Sequence, residues 1–302
     1  MSIAVHRPWR DRRGRLVPIK ALALVLLTVP ALILAADAWR GALGPRPWNE
    51  AIHFSGLWAE RLLLVTLAMT PVRVMWDWPR LVFVRRILGI GTLSYVLLHL
   101  TLYTADLKFN WAQIFWEAFT RFYLIIGLIA VLGLLAMAAT STDAAVRRLG
   151  PGWKRLHRLA YPVALLTTVH YLLQVKSGID APALAVGVLG WLLAWRVLGE
   201  RRARGVPTLL GLAVFVALFT AAAEAAWYGL ATGIDWRRVL GANLDQFEYL
   251  RPSGEAALLA LAVLAITVLR PILRPVLGPV LAWTISRVRG PRPSLPSRAR
   301  SP

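Results

Sequence analysis

The sequence predicts an all-α polytopic membrane protein with eight transmembrane helices. Three observations predict it. Hydrophobic residues make up 58% of the 302 and mean hydropathy is +0.58, far above the soluble range, while only 17% of residues are charged. Eight apolar stretches come close to the ~20 residues that a bilayer's hydrocarbon core requires of a helix. The basic residues are concentrated in alternate loops between those stretches.

The first stretch, residues 19–36, has a basic flank like a secretory signal. No small-residue cleavage site follows Ala36, and Asp37-Ala-Trp-Arg is an interfacial flank, so it is expected to stay as a helix. Residues 57–74, 87–105 and 122–139 follow as long apolar runs, each closed by polar or basic residues. A fifth span is expected over 156–175, a sixth over 183–197, a seventh over 208–228 and an eighth over 255–269. Beyond Leu269, Arg270-Pro-Ile-Leu-Arg-Pro-Val-Leu-Gly-Pro combines three prolines with two arginines and argues against a ninth regular span. An interfacial stretch is expected there, then a solvated, disordered tail from Gly290 that meets anionic lipid. The chain thus divides into a basic N-terminus (1–18), a six-helix core (19–200), two further helices (207–269) and the stretch and tail (270–302).

Orientation follows from the Lys and Arg residues. The N-terminus carries 6, the alternate loops 4, 5 and 4, and the C-terminus 7, against 2, 2, 1 and 3 in the other loops. Both termini and the basic loops are therefore expected in the cytoplasm. The net charge of +20 is then a topology signal and a lipid-facing one, with no nucleic-acid partner implied. Zero cysteines exclude disulfides, iron–sulfur clusters and covalently attached haem.

Only five histidines occur, and His99, His157 and His170 fall on the third and fifth spans. Both spans run outward. His99 lies 12 residues and His170 14 residues into its span, a climb of about 18 to 21 Å at 1.5 Å per residue. Two imidazoles at one depth on different helices can clamp a metal or a haem iron from opposite sides. The alternative is that each bonds a neighbouring helix or relays protons. His157 lies at the cytoplasmic start of its span beside Arg155 and Arg158, a setting for haem propionates or for an ordinary snorkelling residue. Glu60 and Glu224 read as interfacial, and most of the fourteen tryptophans as aromatic belts.

Several strings resemble one family in order and spacing. They are Leu43-Gly-Pro-Arg-Pro, Ile52-His-Phe-Ser-Gly, Met69-Thr-Pro-Val-Arg, Val84-Arg-Arg-Ile-Leu-Gly, Leu98-His-Leu-Thr-Leu-Tyr, Thr140-Ser-Thr, Arg148-Leu-Gly, Trp153-Lys-Arg-Leu-His-Arg-Leu-Ala-Tyr and Val169-His-Tyr-Leu-Leu-Gln-Val-Lys. Together they resemble the MsrQ (YedZ) family of the ferric-reductase-like transmembrane superfamily, over residues 20–200. The resemblance implies a six-helix haem bundle extended here by two C-terminal helices. It further implies one or two b-type haems on His99, His170 and His157, and an Arg facing the inner haem. A flavin mononucleotide is also implied. Electrons would come from the quinone pool or a cytoplasmic flavin reductase. They would pass to a periplasmic molybdenum-cofactor methionine-sulfoxide reductase, so that this chain is an electron-transfer subunit and catalyses no sulfoxide chemistry itself.

Phase selects among the arginines. A residue 14 positions from His99 returns within about 40° of its face, whereas one 13 away points about 140° off, which prefers Arg85 to Arg86. His157 and His170 are 13 apart, the poorer phase, unless Pro162 kinks the helix between them. His53, in the first outer loop, is placed at the electron exit or against an outer-haem propionate. Transport by a histidine proton relay is the alternative function; no internal repeat and no mid-membrane Asp or Glu speaks for it.

Overall fold

The computed structural model describes residues 9–10, 16–176, 178–245 and 249–286. The tail from Gly290, His6 and Glu248 lie outside the described residues. All extended elements are helices: α1 (Pro18–Trp39), α2 (Pro47–Met75), α3 (Val82–Asp106), α4 (Trp111–Thr120), α5 (Phe122–Ala139), α6 (Asp143–Leu149), α7 (Pro151–Leu156), α8 (Ala160–Gln174), α9 (Asp180–Arg202), α10 (Val206–Ala231), α11 (Trp236–Ala242) and α12 (Pro252–Ser286). Among the described residues, seven helices are long and apolar enough to cross a membrane: α1, α2, α3, α5, α9, α10 and the Pro252–Ile272 part of α12.

The expected fifth span departs from this. Instead of one helix from residue 156, the chain makes α7, a 3-10 turn at His157–Leu159 and the 15-residue α8. Pro162 sits in the first turn of α8, where a missing N–H costs least, so the break comes from the 3-10 turn before it. Three residues wound at three per turn add about 60° to the phase, bringing His157 and His170 to about 80° apart around the axis. A second departure lies beyond Leu269, where α12 runs on through Pro271, Pro275 and Pro279 to Ser286. Prolines four apart delete backbone donors along one side only, and the remaining ladder carries the helix. The outer loop after α3 also contains a helix that apolar length could not reveal. In α4 the exposed Trp111, Phe115, Trp116 and Phe119 alternate with Gln113 and Glu117, which bond each other at 3.0 Å.

α2 is the central element, packing on α3, α8, α9 and α1, and α5 packs on α8. α1 is fastened by one side chain. The Tyr95 hydroxyl donates to Leu27 O (2.7 Å) and accepts from Ala31 N (3.0 Å), bridging two backbone groups one turn apart beside Pro30. α10 and α12 pack together and against α9. Their seam is made by glycines: a Cβ on Gly190 would meet the Phe219 ring at 2.6 Å, and one on Gly187 would collide with Thr220. The pair is also tied to the core at both ends, by Trp227 Nε1 donating to Leu172 O (3.1 Å) and Arg270 donating to Met75 O (3.3 Å).

Candidate functional site

Two histidines sit in matching seats. His99, on α3, has Nδ1 at 2.9 Å from the Ile52 carbonyl oxygen of α2, and its ring lies over Gly56 one turn further on. His170, on α8, has Nδ1 at 2.8 Å from the Tyr123 carbonyl oxygen of α5, with its ring over Gly127. In both, 47 residues separate the carbonyl from its histidine. A Cβ at Gly56 would come within 3.1 Å of the His99 ring and one at Gly127 within 2.9 Å of the His170 ring, so only glycine leaves room. The helix pairs α2/α3 and α5/α8 thus repeat one arrangement that string comparison of the sequence does not show.

A carbonyl oxygen only accepts, so each Nδ1 carries the proton and donates. That fixes the tautomer and leaves the lone pair on Nε2, which has no hydrogen-bond partner among the described residues. His170 is also an electrostatic neighbour of His99. Such a pair fits the axial positions of an iron porphyrin: neutral imidazoles, oriented through Nδ1, over two glycine-lined gaps. Among the described residues no group of three or more His, Asp or Glu could hold a bare metal ion, so two axial donors are the set available.

An open cleft of about 430 Å³ adjoins this pair, lined by Leu43, Gly44, Glu50, His53, Phe54 and Tyr171. His53 Nε2 lies 3.4 Å from Gln174 Nε2, and His53 is a second electrostatic neighbour of His99. α4 closes the same end. Glu117 accepts from the Tyr103 hydroxyl (3.0 Å), one turn beyond His99, and pairs with Arg121 (3.3 Å). Its carboxyl is held below the usual range by the Gln113 amide first, then by Tyr103 and Arg121.

His157 lies toward the opposite end and does not join the pair. Its ring stacks on Trp153 at 4.0 Å, and Nε2 is 3.2 Å from Thr140 Oγ1. Arg85 and Arg86 are both its electrostatic neighbours, but they point differently. Arg86 is exposed and pairs with Asp143 at 2.9 Å, whereas Arg85 is half-buried near Tyr161, Arg196 and Arg73. Arg196 is held by the Tyr161 hydroxyl (2.8 Å) and Leu67 O (2.7 Å). This end is a cationic socket suited to carboxylates.

Two residues read as interfacial are buried instead. Glu60 on α2 is 5% exposed; its Oε1 accepts from the Thr168 hydroxyl at 2.6 Å and its Oε2 has no partner. Glu224 on α10 is 1% exposed and accepts from Asn243 (3.1 Å) and Arg251 (3.4 Å), pinning the loop around α11. Position along a helix gives depth, but only the neighbours decide which way a side chain faces. Glu60 is thus an acid inside the bundle, and its place one turn after Gly56, on the face that meets His99, is the sequence feature that marks it.

A helical bundle that seats two imidazoles in the same way on separate helix pairs is a polytopic membrane protein with a candidate cofactor site. The family model described as "Ferric reductase like transmembrane component" matches residues 55–168, which include His99 and His157 and stop two residues short of His170. Among similar proteins, one from Xanthomonas axonopodis pv. citri is 41% identical over 195 residues, covering 62% of this chain and 89% of the relative. Another from Rhodospirillum rubrum is 39% identical over 197 residues, 65% of this chain and 92% of the relative. A third, from Xanthomonas campestris pv. campestris (strain B100), is 47% identical over 164 residues, 54% and 75%. All three are named protein-methionine-sulfoxide reductase heme-binding subunit MsrQ. The chain belongs to the MsrQ family. No solved structure matches it.

Proposed function

We propose that this chain is a b-type-haem electron conduit of a methionine-sulfoxide reductase system, spanning a bacterial inner membrane with both termini cytoplasmic. The carrying observation is the pair His99 and His170, each fixed through Nδ1 and each presenting a free Nε2. A haem iron held there would supply reversible one-electron transfer. The chain's own contribution is orientation and exclusion. The Ile52 and Tyr123 carbonyls lock both rings and raise their basicity, and Gly56 and Gly127 keep the seats open.

At the other end Arg85, with Arg73 and Arg196, would neutralise propionates, and His157 would hold a second, inner haem. Arg85 acts as a counter-charge, since a guanidinium does not give up its proton to bind iron. Electrons enter at that end from a quinol or a cytoplasmic flavin reductase. They leave by the His53 cleft to a periplasmic molybdenum-cofactor reductase, which repairs oxidised methionine. A flavin mononucleotide has no residues assigned to it in this reading.

The test is reconstitution in proteoliposomes with a quinol donor inside the assay and the periplasmic reductase added separately. A low-spin haem spectrum is expected, reduced by quinol and reoxidised only when reductase and sulfoxide are both present. Reduction of sulfoxide by the membrane protein alone, or reduced haem that the partner leaves untouched, would reject the conduit. The inner site has its own check. His157→Ala should lower haem stoichiometry from about two to about one per chain, because 13 residues place His157 about 20 Å from His170 along the chain axis, beyond one iron's reach. A stoichiometry unchanged by the substitution assigns His157 to structure.

A further inference from the structure

Glu60 is the one buried acid of the six-helix core that the conduit leaves unused. It lies on α2, one turn or about 6 Å below Gly56, and it bonds Thr168, two residues or about 3 Å below His170 on α8. It therefore lies one turn along α2 from the seat of His99, against the Thr168 face of α8. One oxygen is satisfied by the Thr168 hydroxyl; the other is buried and unpartnered. Thr167, whose hydroxyl is bonded to Ala164 O, lies next to it.

The charges facing Glu60 are few. Its own helix offers Arg61, and α8 offers Tyr171, with His170 the next residue along. α3 contributes His99, while α9 has no charged residue between Asp180 and Arg196 and α1 none between Lys20 and Asp37. The 3-10 turn Pro79–Leu81 lies at the far end of α2. Among the described residues no cation pairs directly with the carboxyl. Tyr171 is an electrostatic neighbour of both Glu60 and Arg61 and also lines the open cleft with His53.

We infer that Glu60 takes up a proton when the haem between His99 and His170 is reduced and releases it on reoxidation, with the His53 cleft as the entry. The inference rests on the haem reading above. The core of a ferric porphyrin with two neutral imidazoles, its propionates apart, would carry one positive charge and favour the ionised form of a nearby carboxylate. Reduction removes that charge, and an isolated carboxylate in a dry bundle is then costly enough to be protonated. The step balances: ferric iron, one electron, Glu60 carboxylate and one proton give ferrous iron and Glu60 carboxylic acid. The electron comes from the conduit's donor and the proton from water at the cleft.

The test is spectroelectrochemical titration of the haem-loaded full chain in nanodiscs, from about pH 6 to about pH 9. In the unaltered protein the reduction equilibrium should fall by up to about tenfold per pH unit, the limit for one proton per electron. Glu60→Gln should lose more than half of that dependence and Glu60→Asp should keep it. Redox-difference infrared spectra should show a protonated-carboxyl band growing on reduction, absent in Glu60→Gln and shifted in Glu60→Asp. The same pH dependence in Glu60→Gln as in the unaltered protein, or no such band, overturns the inference. Should Glu60→Gln fail to retain haem, an unshifted band in Glu60→Asp does the same. Failure of the haem reading is separate, because it appears as an unchanged haem spectrum in His99→Ala.

Discussion

Substituting His170 with Ala should abolish the low-spin haem signal and cut electron delivery to the periplasmic reductase by more than tenfold. The side chain's role is confined to its two nitrogens: Nδ1 donates to Tyr123 O, and Nε2 has no hydrogen-bond partner among the described residues. Removing the ring takes away one axial donor and leaves the Tyr123 carbonyl with only its helix bond, which that helix tolerates. The bundle should therefore fold, and the loss should be spectroscopic. His99→Ala is expected to match it, because Ile52 and Gly56 form the same seat on the other hairpin. Optical and electron paramagnetic resonance spectra of the purified variants check both. Full low-spin haem in either variant would sink the bis-histidine assignment.

Gly127→Val should have nearly as large an effect without touching a ligand. A Cβ at this position already meets His170 Nδ1 at 2.9 Å and Cε1 at 3.0 Å, and two further methyl groups occupy the volume of the ring. The imidazole must turn out of its seat and break its bond to Tyr123 O. Overpacking with loss of a buried hydrogen bond costs about 1–3 kcal/mol each in folded proteins. A geometrically demanding axial bond should fail before the fold does. The expected spectrum is high-spin or mixed-spin haem, with a control at Gly89→Ala, where a Cβ meets nothing within 4 Å and the spectrum should be unchanged. A normal low-spin spectrum in Gly127→Val would show that the ring is not seated over α5.

The membrane character and nearly all the helices were legible in the sequence, because burying backbone in lipid forces long apolar runs and the basic loops mark their ends. Depth was legible too, since rise per residue is constant: His99 and His170 could be set at one level by counting. Facing was not. The seats at Ile52 and Tyr123, the glycines beneath the rings and the burial of Glu60 and Glu224 all depend on which helix lies alongside, a contact between residues tens of positions apart.

Short-range conformation escaped as well. The 3-10 turn at His157–Leu159 has no proline or glycine to announce it, and α4 is too short for an apolar-length criterion, though its Asn110 cap accepts from Gln113 N at 3.2 Å. Sequence by itself thus determined that this chain is a multi-pass membrane protein and where most of its helices lie. Tertiary structure alone decided that His99 and His170 are each held through Nδ1 by a carbonyl, and that the Glu60 carboxyl is buried against Thr168. The physical reason is that hydrophobic length and charge are summed along the chain, whereas tautomer, orientation and burial are set by the single carbonyl, glycine or hydroxyl that packing brings opposite.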